Sequence, residues 1–517
     1  MNLLNLGAAH LATLIASGQA TAVDAVAQHI AQINKVNPQL NAMVWDCFDA
    51  ARAAATAADA KQQRGEPLGP LHGVPFTVKE CLDLPGTPST FGLESRKGHR
   101  ATQTETHVAR LVEAGAIPMC KTNVSQFLLY YEADNPLYGP TKNPHNALRT
   151  PGGSSGGEGA LIAAGASPLG IGTDIGGSVR IPAAFCGITS LKPTTGRCND
   201  MGLYWGPRGQ RAIASQVGIL GPRTADVALG TQVINGPSWV GTAEQVLGDY
   251  QQVDVRQLRV AVYTHDGTFE ASPTAQRAVH EAATFLRAAG AQVTEWQVPE
   301  APLALQLYYG ILGADKLEIM RERMGAGRKA PQIAELMLLT ALPPFAIRLL
   351  RNIMGWVGQP TLATTLGAFG PNRVGHYWKL VEAQIDYLAR FRAALDTDAG
   401  GPFDVILCPP CALPAYTHGA SKDLLTAGAY GPLYNLLGYP AGVVPVTRVR
   451  GGEQASRPAT RDIVQKLARQ VDADSAGLPM GVQVVARPWK EDHALAVMQA
   501  IESEVRKTQD FAPQGMG

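Results

Sequence analysis

Apolar residues along the chain change their spacing several times, and each change marks an element. From Leu6 to Asp59 the spacing is helical. Ala8, Leu11, Leu14 and Ile15 form one stripe that Gly18 ends; Val23, Val26, Ile30 and Ile33 form a second, capped by Thr21 and closed at Asn37–Pro38. In LHGVPFTVKECLDLPG the period drops to two. Val74, Phe76 and Val78 alternate with Pro75, Thr77 and Lys79, which predicts a strand ending on the lysine beside a loop. From Thr104 to Ala133 the pattern predicts helix ETHVARLVEAG, strand AIPMCKTN and helix VSQFLLYYEA, and the polar NPLYGPTKNPHNALRTPGG is a loop. Small residues follow: GEGALIAAGA reads as a helix, PLGIGTD as a strand, IGG as a tight turn and SVRIPAAF as a helix. Between Ala225 and Pro299 a further layer is predicted, with strand RVAVYTHDG, helix AQRAVHEAATFLRAAG and strand AQVTEWQV. Alternating helices and strands place the chain in the α/β class.

Residues 331–360 depart from that alternation. Two apolar helical segments are separated by Pro343–Pro344, and the second sets Phe345, Leu349, Leu350, Ile353, Met354, Trp356 and Val357 against Arg348, Arg351 and Asn352. Such a face suits a helix packed on the core, a dimer interface, or a surface lying in the plane of a membrane.

Length alone favours two domains, because 517 residues exceed what one core usually supports. No Pro/Ser-rich linker, charge run, low-complexity tract or internal repeat marks a boundary, so one α/β domain spanning 1–517 with insertions is expected. With 44 Lys and Arg against 43 Asp and Glu, the net charge of +1 offers no clustered basic face for nucleic acid. The N-terminal MNLLNLGAAHLATLIASG lacks a basic leader, and no run of about 18 apolar residues is present, so neither a signal peptide nor a spanning helix is expected. Seven scattered cysteines suit free thiols in a reducing, cytoplasmic setting. Cys408 and Cys411 form a lone CxxC at the end of FDVILCPP; without further ligands they read as small buried residues and not as a metal pair.

The chemistry concentrates between Pro151 and Gly187, in PGGSSGGEGALIAAGASPLGIGTDIGGSVRIPAAFCG. Gly152–Gly153 and Gly176–Gly177 each stand directly before a serine. Paired glycines permit tight turns and let successive N–H groups converge on an anion, as in an oxyanion hole. Gly152-Gly153-Ser154-Ser155-Gly156 also fits the GxSxG nucleophile elbow, but the polar, proline-broken HNALRTPGG replaces the apolar strand that elbow needs. Gly170, Gly172 and Gly176 are spaced one residue too far apart for a dinucleotide loop. No histidine has a motif around it. Lys79 lies among apolar neighbours, and burial disfavours its ammonium form, so it is the base that the residues offer.

GGSSGGEGA followed by GTDIGGSVRIPAAFCG resembles the signature of the amidase signature family, and its surroundings are most similar to the fatty acid amide hydrolase branch. FDVILCPP, AYGPLYNLLGYPAGVVPVTRV and GLPMGVQVVARPWKEDHALAVMQAIE carry the resemblance through the C-terminal third, while the extreme N-terminus and residues 230–330 carry it weakly. The implied fold is the amidase signature α/β fold, a large mixed central sheet sandwiched between helices. Its signature core would span about 70–230, with residues 331–360 as an inserted hydrophobic helical cap. The resemblance implies a Ser–cis-Ser–Lys triad with Ser178 as nucleophile, Ser154 as the bridging serine behind a cis Gly153–Ser154 bond, and Lys79 as base. The intervals of 75 residues from Lys79 to Ser154 and 24 from Ser154 to Ser178 fit that pattern.

On this basis the N–H groups of Ile175, Gly176, Gly177 and Ser178 would hold the oxyanion. Leu128, Leu129, Tyr131, Ser155, Thr173 and Tyr430 would line the substrate pocket, with Thr173, Asp174 and Arg180 also holding the loop. Leu128, Leu129 and Gly428 depart from the branch's usual pocket residues. The expected activity is hydrolysis of hydrophobic acyl amides through an acyl-enzyme, with water completing the cycle and no metal or cofactor. A homodimer, and peripheral contact with the inner membrane surface through 331–360, are expected as well. The alternatives are an amidotransferase A-type component of a glutamine-dependent transamidation complex, an amidase for smaller aryl or alkyl amides, and a catalytically dead membrane-binding protein, which the filled triad positions disfavour.

Overall fold

The computed structural model describes residues 1–198, 209–236, 246–368, 370, 373–455, 457 and 460–508. Parts of the expected signature core (199–208) and of the expected 225–299 layer (237–245) lie outside the described residues. The strands are β1 (Met43–Asp46), β2 (Pro75–Lys79), β3 (Ile117–Thr122), β4 (Gly170–Asp174), β5 (Thr189–Lys192), β6 (Gln216–Gly221), β7 (Arg259–Val262), β8 (Gln292–Glu295), β9 (Val405–Cys408), β10 (Ala441–Arg448) and β11 (Pro479–Ala486). Among the described residues these eleven strands form one mixed sheet in the order β1-β3-β2-β4-β6-β5-β10-β11-β9-β7-β8. Every residue of β2, β4, β6, β9 and β11 is buried. Successive side chains leave opposite faces of a strand, so both faces of the sheet are covered.

One detail of topology positions everything else. β2 runs parallel to both β3 and β4, with Thr77 opposite Gly170 and Val78 opposite Ile171. The carboxyl ends of β2 and β4 therefore emerge side by side, which brings Lys79 level with the start of the Thr173–Ser178 segment. Openings at the carboxyl ends of strands are where open α/β sheets bind ligands. Lys79 is the last residue of an interior strand and is fully buried.

Most predicted elements are present, with three local differences. The helix capped by Thr21 runs from Ala22 to Leu40, through Pro38, and ends at Asn41 in a left-handed conformation. Proline lacks the N–H that would bond the carbonyl of Asn34, and the helix ends two residues beyond it. The Asn37 side chain then accepts from Ala42 and Met43 N–H and turns the chain into the unpredicted β1. Val23 faces solvent, and Ala22, Ala25 and His29 take its place on the buried face. The expected helix VSQFLLYYEA shrinks to the single 3₁₀ turn Gln126–Leu128, with Phe127, Leu128 and Tyr130 at φ 57°, 59° and 68°. Beyond that turn, whose Leu128 N–H donates to Ser125 O, its backbone bonds other segments: Gln126 N–H donates to Asp134 O and Phe127 N–H to Phe91 O. Left-handed backbone at non-glycine residues is unfavourable locally and persists where the surroundings impose it.

The apolar segments of 331–360 form helices Pro331–Ala341 and Pro344–Trp356, bent by 112° at the proline pair. No single described helix is long and apolar enough to cross a membrane. The two helices behave differently. The first buries Ile333 and Met337 in a cluster with Phe127, Leu128, Met320 and Met324. The second buries Ile347 alone and leaves Phe345 (73%), Leu349 (59%) and Trp356 (88%) exposed.

Candidate active site

Lys79 Nζ is hydrogen-bonded to Ser154 Oγ at 2.8 Å, to Thr173 Oγ1 at 2.9 Å and to Thr173 O at 3.3 Å. Burial by itself does not single out this lysine, since Lys121 and Lys192 are equally buried. Lys121 Nζ is engaged with the carbonyls of Leu82 and Pro88, at 2.5 and 3.1 Å, and burial lowers its pKa. Lys192 Nζ donates to Pro193 O, and burial brings its pKa down to about 7. Of the three, Lys79 is the one bonded to a serine.

Close backbone approach places that serine. The Gly153–Ser154 peptide is cis. A Cβ at Gly153 would stand 2.5 Å from both Glu132 N and Glu132 O, and one at Gly157 would stand 2.4 Å from Asn123 N. Only glycine lets the first turn of helix Gly156–Ala163 dock so tightly against the neighbouring chain. Ser155 N–H donates to Ser178 O at 3.2 Å, which ties the two serine segments together. The Ser155 hydroxyl is buried above Gly172 and has no hydrogen-bond partner among the described residues, so its link to the site is through the backbone.

Ser178 lies between β4 and helix Arg180–Cys186, almost wholly buried. Among the described residues the N–H groups of Ile175, Gly176 and Ser178 have no acceptor, whereas Gly177 N–H donates to Asp174 Oδ1 at 2.8 Å. Three of the four expected oxyanion donors are thus open, and the fourth is held by a carboxylate. Burial pushes the Asp174 carboxyl up. The opposing charge and hydrogen bonds of Arg180 outweigh that and hold it well below the usual carboxylate range.

Glu158, inside the serine-bearing helix, had no assigned role in the sequence, although it lies within GGSSGGEGA. Its carboxyl is fully buried and accepts from the hydroxyls of Thr77 on β2 and Thr122 on β3, at 2.7 Å for the latter. Gly170 has no side chain because a Cβ there would stand 2.2 Å from Glu158 Oε2. The carboxyl therefore fastens the helix that follows Ser154 to the strand that carries Lys79. Burial raises its pKa to about 8, against the opposing pull of Thr77, Thr122, Lys79 and Lys121.

The expected pocket residues separate into groups. Leu128 is buried and Leu129 half-buried against the cluster of Ile333 and Met337. Thr173 is a direct partner of Lys79. Tyr131 is buried, and its hydroxyl donates to Gly176 O at 3.0 Å. Gly428 makes room for it, since a Cβ there would meet the Tyr131 ring at 2.2 Å. Tyr430 is not brought to the opening: it is fully buried, stacked with Tyr263, and its hydroxyl donates to Phe269 O at 2.8 Å. Tyr308, whose hydroxyl donates to Ile175 O at 3.0 Å, comes from the stretch where sequence offered least, and no motif marks it. Cys408 and Cys411 are buried thiols beside Tyr434 and Tyr416, with pKa values pushed up to about 11 by burial.

The family model Amidase matches residues 24–495. Fatty acid amide hydrolase 1 of Caenorhabditis elegans is 33% identical over 502 residues, covering 94% of this chain and 86% of that protein. A glutamyl-tRNA(Gln) amidotransferase subunit of Rhodopirellula baltica is 32% identical over 506 residues, covering 93% of this chain and 92% of that protein. A solved fatty acid amide hydrolase shares the fold, with a TM-score of 0.82 at 22% identity over 97% of this chain and 85% of that one.

The raised pKa of Glu158 has a definite consequence for stability. A carboxyl at about 8 in the folded chain against 4.5 when unfolded contributes stability that is complete below 4.5 and is lost as pH rises through 8. Glutamine cannot ionise. Glu158→Gln should therefore remove up to a few kcal/mol of that decline, at about 1.4 kcal/mol per unit. Urea midpoints at pH 5 and 8.5 measure it, and an unchanged pH slope in the variant would show that the folded Glu158 carboxyl ionises as it does in the unfolded chain.

Proposed function

The chain belongs to the amidase family and is an amidohydrolase, and we propose that it hydrolyses amides of hydrophobic acyl groups through a Lys79–Ser154–Ser178 relay. The buried 2.8 Å contact between Lys79 Nζ and Ser154 Oγ, beside the turn that carries Ser178, is the observation that supports this reading most. Serine attacks an amide only when a base removes its proton. In the proposed cycle Lys79 rests as a neutral amine, because burial disfavours its ammonium. It takes the proton of Ser154, Ser154 takes that of Ser178, and Ser178 Oγ bonds to the carbonyl carbon. The N–H groups of Ile175, Gly176 and Ser178 receive the oxyanion, joined by that of Gly177 if it leaves Asp174. The proton returns along the same path to the nitrogen, the C–N bond breaks, and the amine departs. Water then cleaves the acyl ester by the same route.

The hydrophobic acyl group follows from similarity to the worm protein named a fatty acid amide hydrolase, and from Leu128 and Leu129 packed against helix Pro331–Ala341. The similarity to an amidotransferase component supports a second reading, in which the chain works inside a transamidation complex. The exposed apolar face of Pro344–Trp356 favours the first. Assaying the purified chain alone on long-chain acyl amides separates the two: hydrolysis supports the free enzyme, and activity only with partner proteins overturns it.

A lipophilic fluorophosphonate should form its adduct on Ser178, and Ser178→Ala should abolish labelling while the chain stays folded. Mass spectrometry of the labelled peptide decides this; an adduct on Ser154 or Ser155 would refute the assignment.

Lys79→Ala should lower kcat at neutral pH by at least about 10²-fold, the low end of what a general base contributes, and the remaining rate should rise with pH as hydroxide replaces the base. Near-normal activity at pH 7 would eliminate the relay.

The same reading places the second helix of the pair at a lipid surface. Each large apolar side chain fully removed from water contributes roughly 1.5–3 kcal/mol, so partial insertion of Phe345, Leu349 and Trp356 suffices for reversible binding. Arg348 and Arg351 favour anionic lipid. Leu349→Glu with Ile353→Glu should weaken co-sedimentation with anionic vesicles and slow hydrolysis of long-chain amides, leaving short soluble amides unaffected. Loss of both activities together with thermal stability would mean these side chains belong to the core. Unchanged sedimentation with a dissociated oligomer would make them an interface between copies of the chain.

A further inference from the structure

The Thr173–Ser178 segment shows a regularity in its carbonyl groups. Thr173 O accepts from Lys79 Nζ at 3.3 Å and Asp174 O from Asn435 Nδ2 at 3.4 Å. Ile175 O accepts from the Tyr308 hydroxyl and Gly176 O from the Tyr131 hydroxyl, each at 3.0 Å. Gly177 O accepts from Ile181 N–H at 2.7 Å and Ser178 O from Ser155 N–H at 3.2 Å. Six consecutive carbonyls are therefore engaged by groups outside the segment. A trans peptide unit is planar, so its N–H points opposite to its C=O. Holding Ile175 O aims the N–H of Gly176 away from Tyr308, and holding Gly176 O aims the N–H of Gly177 away from Tyr131, onto Asp174.

Two glycines in a row would otherwise leave these peptide planes free to rotate, since glycine restrains its backbone least. Both phenols fit closely against glycines. A Cβ at Gly176 would stand 2.3 Å from the Tyr308 hydroxyl oxygen, and one at Gly428 would stand 2.2 Å from the Tyr131 ring. Burial raises the pKa of both phenols well above the usual value, so each keeps its proton and remains a donor.

We propose that Tyr131 and Tyr308 are positioning residues that lock the two peptide planes from Ile175 to Gly177: Tyr308 presets the Gly176 N–H for the oxyanion before substrate arrives, and Tyr131 holds the next plane, its N–H on Asp174, so that the turn leading to the Ser178 N–H keeps its shape. The proposal rests on the assignment of Ser178 as nucleophile. It reassigns Tyr131, expected from the sequence as a pocket residue, from touching substrate to holding the turn. Electrostatic stabilisation is effective when its donors need no reorganisation during the reaction. Removing one phenol hydroxyl leaves the ring in place but frees one peptide plane.

The test is Tyr131→Phe, Tyr308→Phe and the double variant, assayed on a long-chain amide and with a trifluoromethyl ketone of the same chain. The ketone adds the serine oxygen to its carbonyl carbon and so places an oxyanion in the same site. Each single variant should lose about tenfold in kcat, the effect of about 1.4 kcal/mol on a barrier, with KM unchanged. Ketone affinity should fall by the same factor, and the affinity for a non-covalent carboxylate product should stay as it was. Gly428→Ala, which crowds the Tyr131 ring, is the second route if a phenylalanine variant does not fold, and it should give the same split.

Variants that retain kcat and ketone affinity overturn the proposal. A raised KM with unchanged kcat in Tyr131→Phe also overturns it, because Tyr131 would then be a substrate contact. Fluorophosphonate labelling of the unsubstituted enzyme distinguishes the two levels. Label on Ser178 with kinetically silent tyrosine variants refutes this proposal alone, whereas label elsewhere refutes the nucleophile and the proposal with it.

Discussion

A fully buried ion pair between Asp174 and Arg180 holds the site together. Two hydrogen bonds join them, at 2.9 and 3.0 Å. The guanidinium also donates to Gly431 O, Gln483 Oε1 and Asn435 Oδ1, at 3.1, 2.7 and 2.5 Å. Removing two charges from water is costly, and such a pair persists only when its remaining donors and acceptors are satisfied as well. Here they are satisfied by segments far apart in sequence: helix Tyr430–Leu436, strand β11, and the N–H groups of Gly177 and Val179. Loss of either partner would leave an uncompensated charge at the junction of the Ser178 turn with the sheet.

From that junction the site extends along the carboxyl ends of two parallel strands. β2 presents Lys79 and β4 presents Thr173, and the register between them leaves no choice about which residues meet. Glycines supply the closeness: Gly153 against Glu132, Gly157 against Asn123, Gly170 under the Glu158 carboxyl, and Gly431 against Gly176. Each is a contact between one backbone and another backbone or a buried polar group. Such contacts cannot yield by a rotamer change, so the serines are placed by chain geometry more than by side-chain packing.

Buried charge is distributed unevenly around this centre. Lys79, Lys121 and Lys192 lie on three strands of one sheet, yet their partners differ in kind. Backbone carbonyls hold Lys121 and Lys192, with a longer 3.4 Å contact from Lys121 to the Thr87 hydroxyl, whereas Lys79 meets the hydroxyls of Ser154 and Thr173 at 2.8 and 2.9 Å, and a hydroxyl can pass a proton on where a carbonyl cannot. The difference sets Lys79 apart from the other two in the chemistry of its partners.

The sequence alone determined the class of fold and most element positions, because these depend on local periodicity, and it drew attention to Lys79, Ser154 and Ser178 through a glycine–serine stretch that resembles a known family. Its errors were also local. Residues 124–133 have the apolar spacing of a helix, but their N–H groups bond Asp134 and Phe91 instead, and Val23 faces water. Tertiary structure alone decided that Gly177 N–H is held by Asp174, that Glu158 joins helix to strand, and that Tyr131 and Tyr308 reach the carbonyls of one turn. It also divided the apolar pair at Pro343–Pro344 into a packed helix and an exposed one. The physical reason is common to all of these. Hydrogen bonds and burial between residues dozens to hundreds apart leave no period in the chain, and only the sheet's strand order brings such residues together.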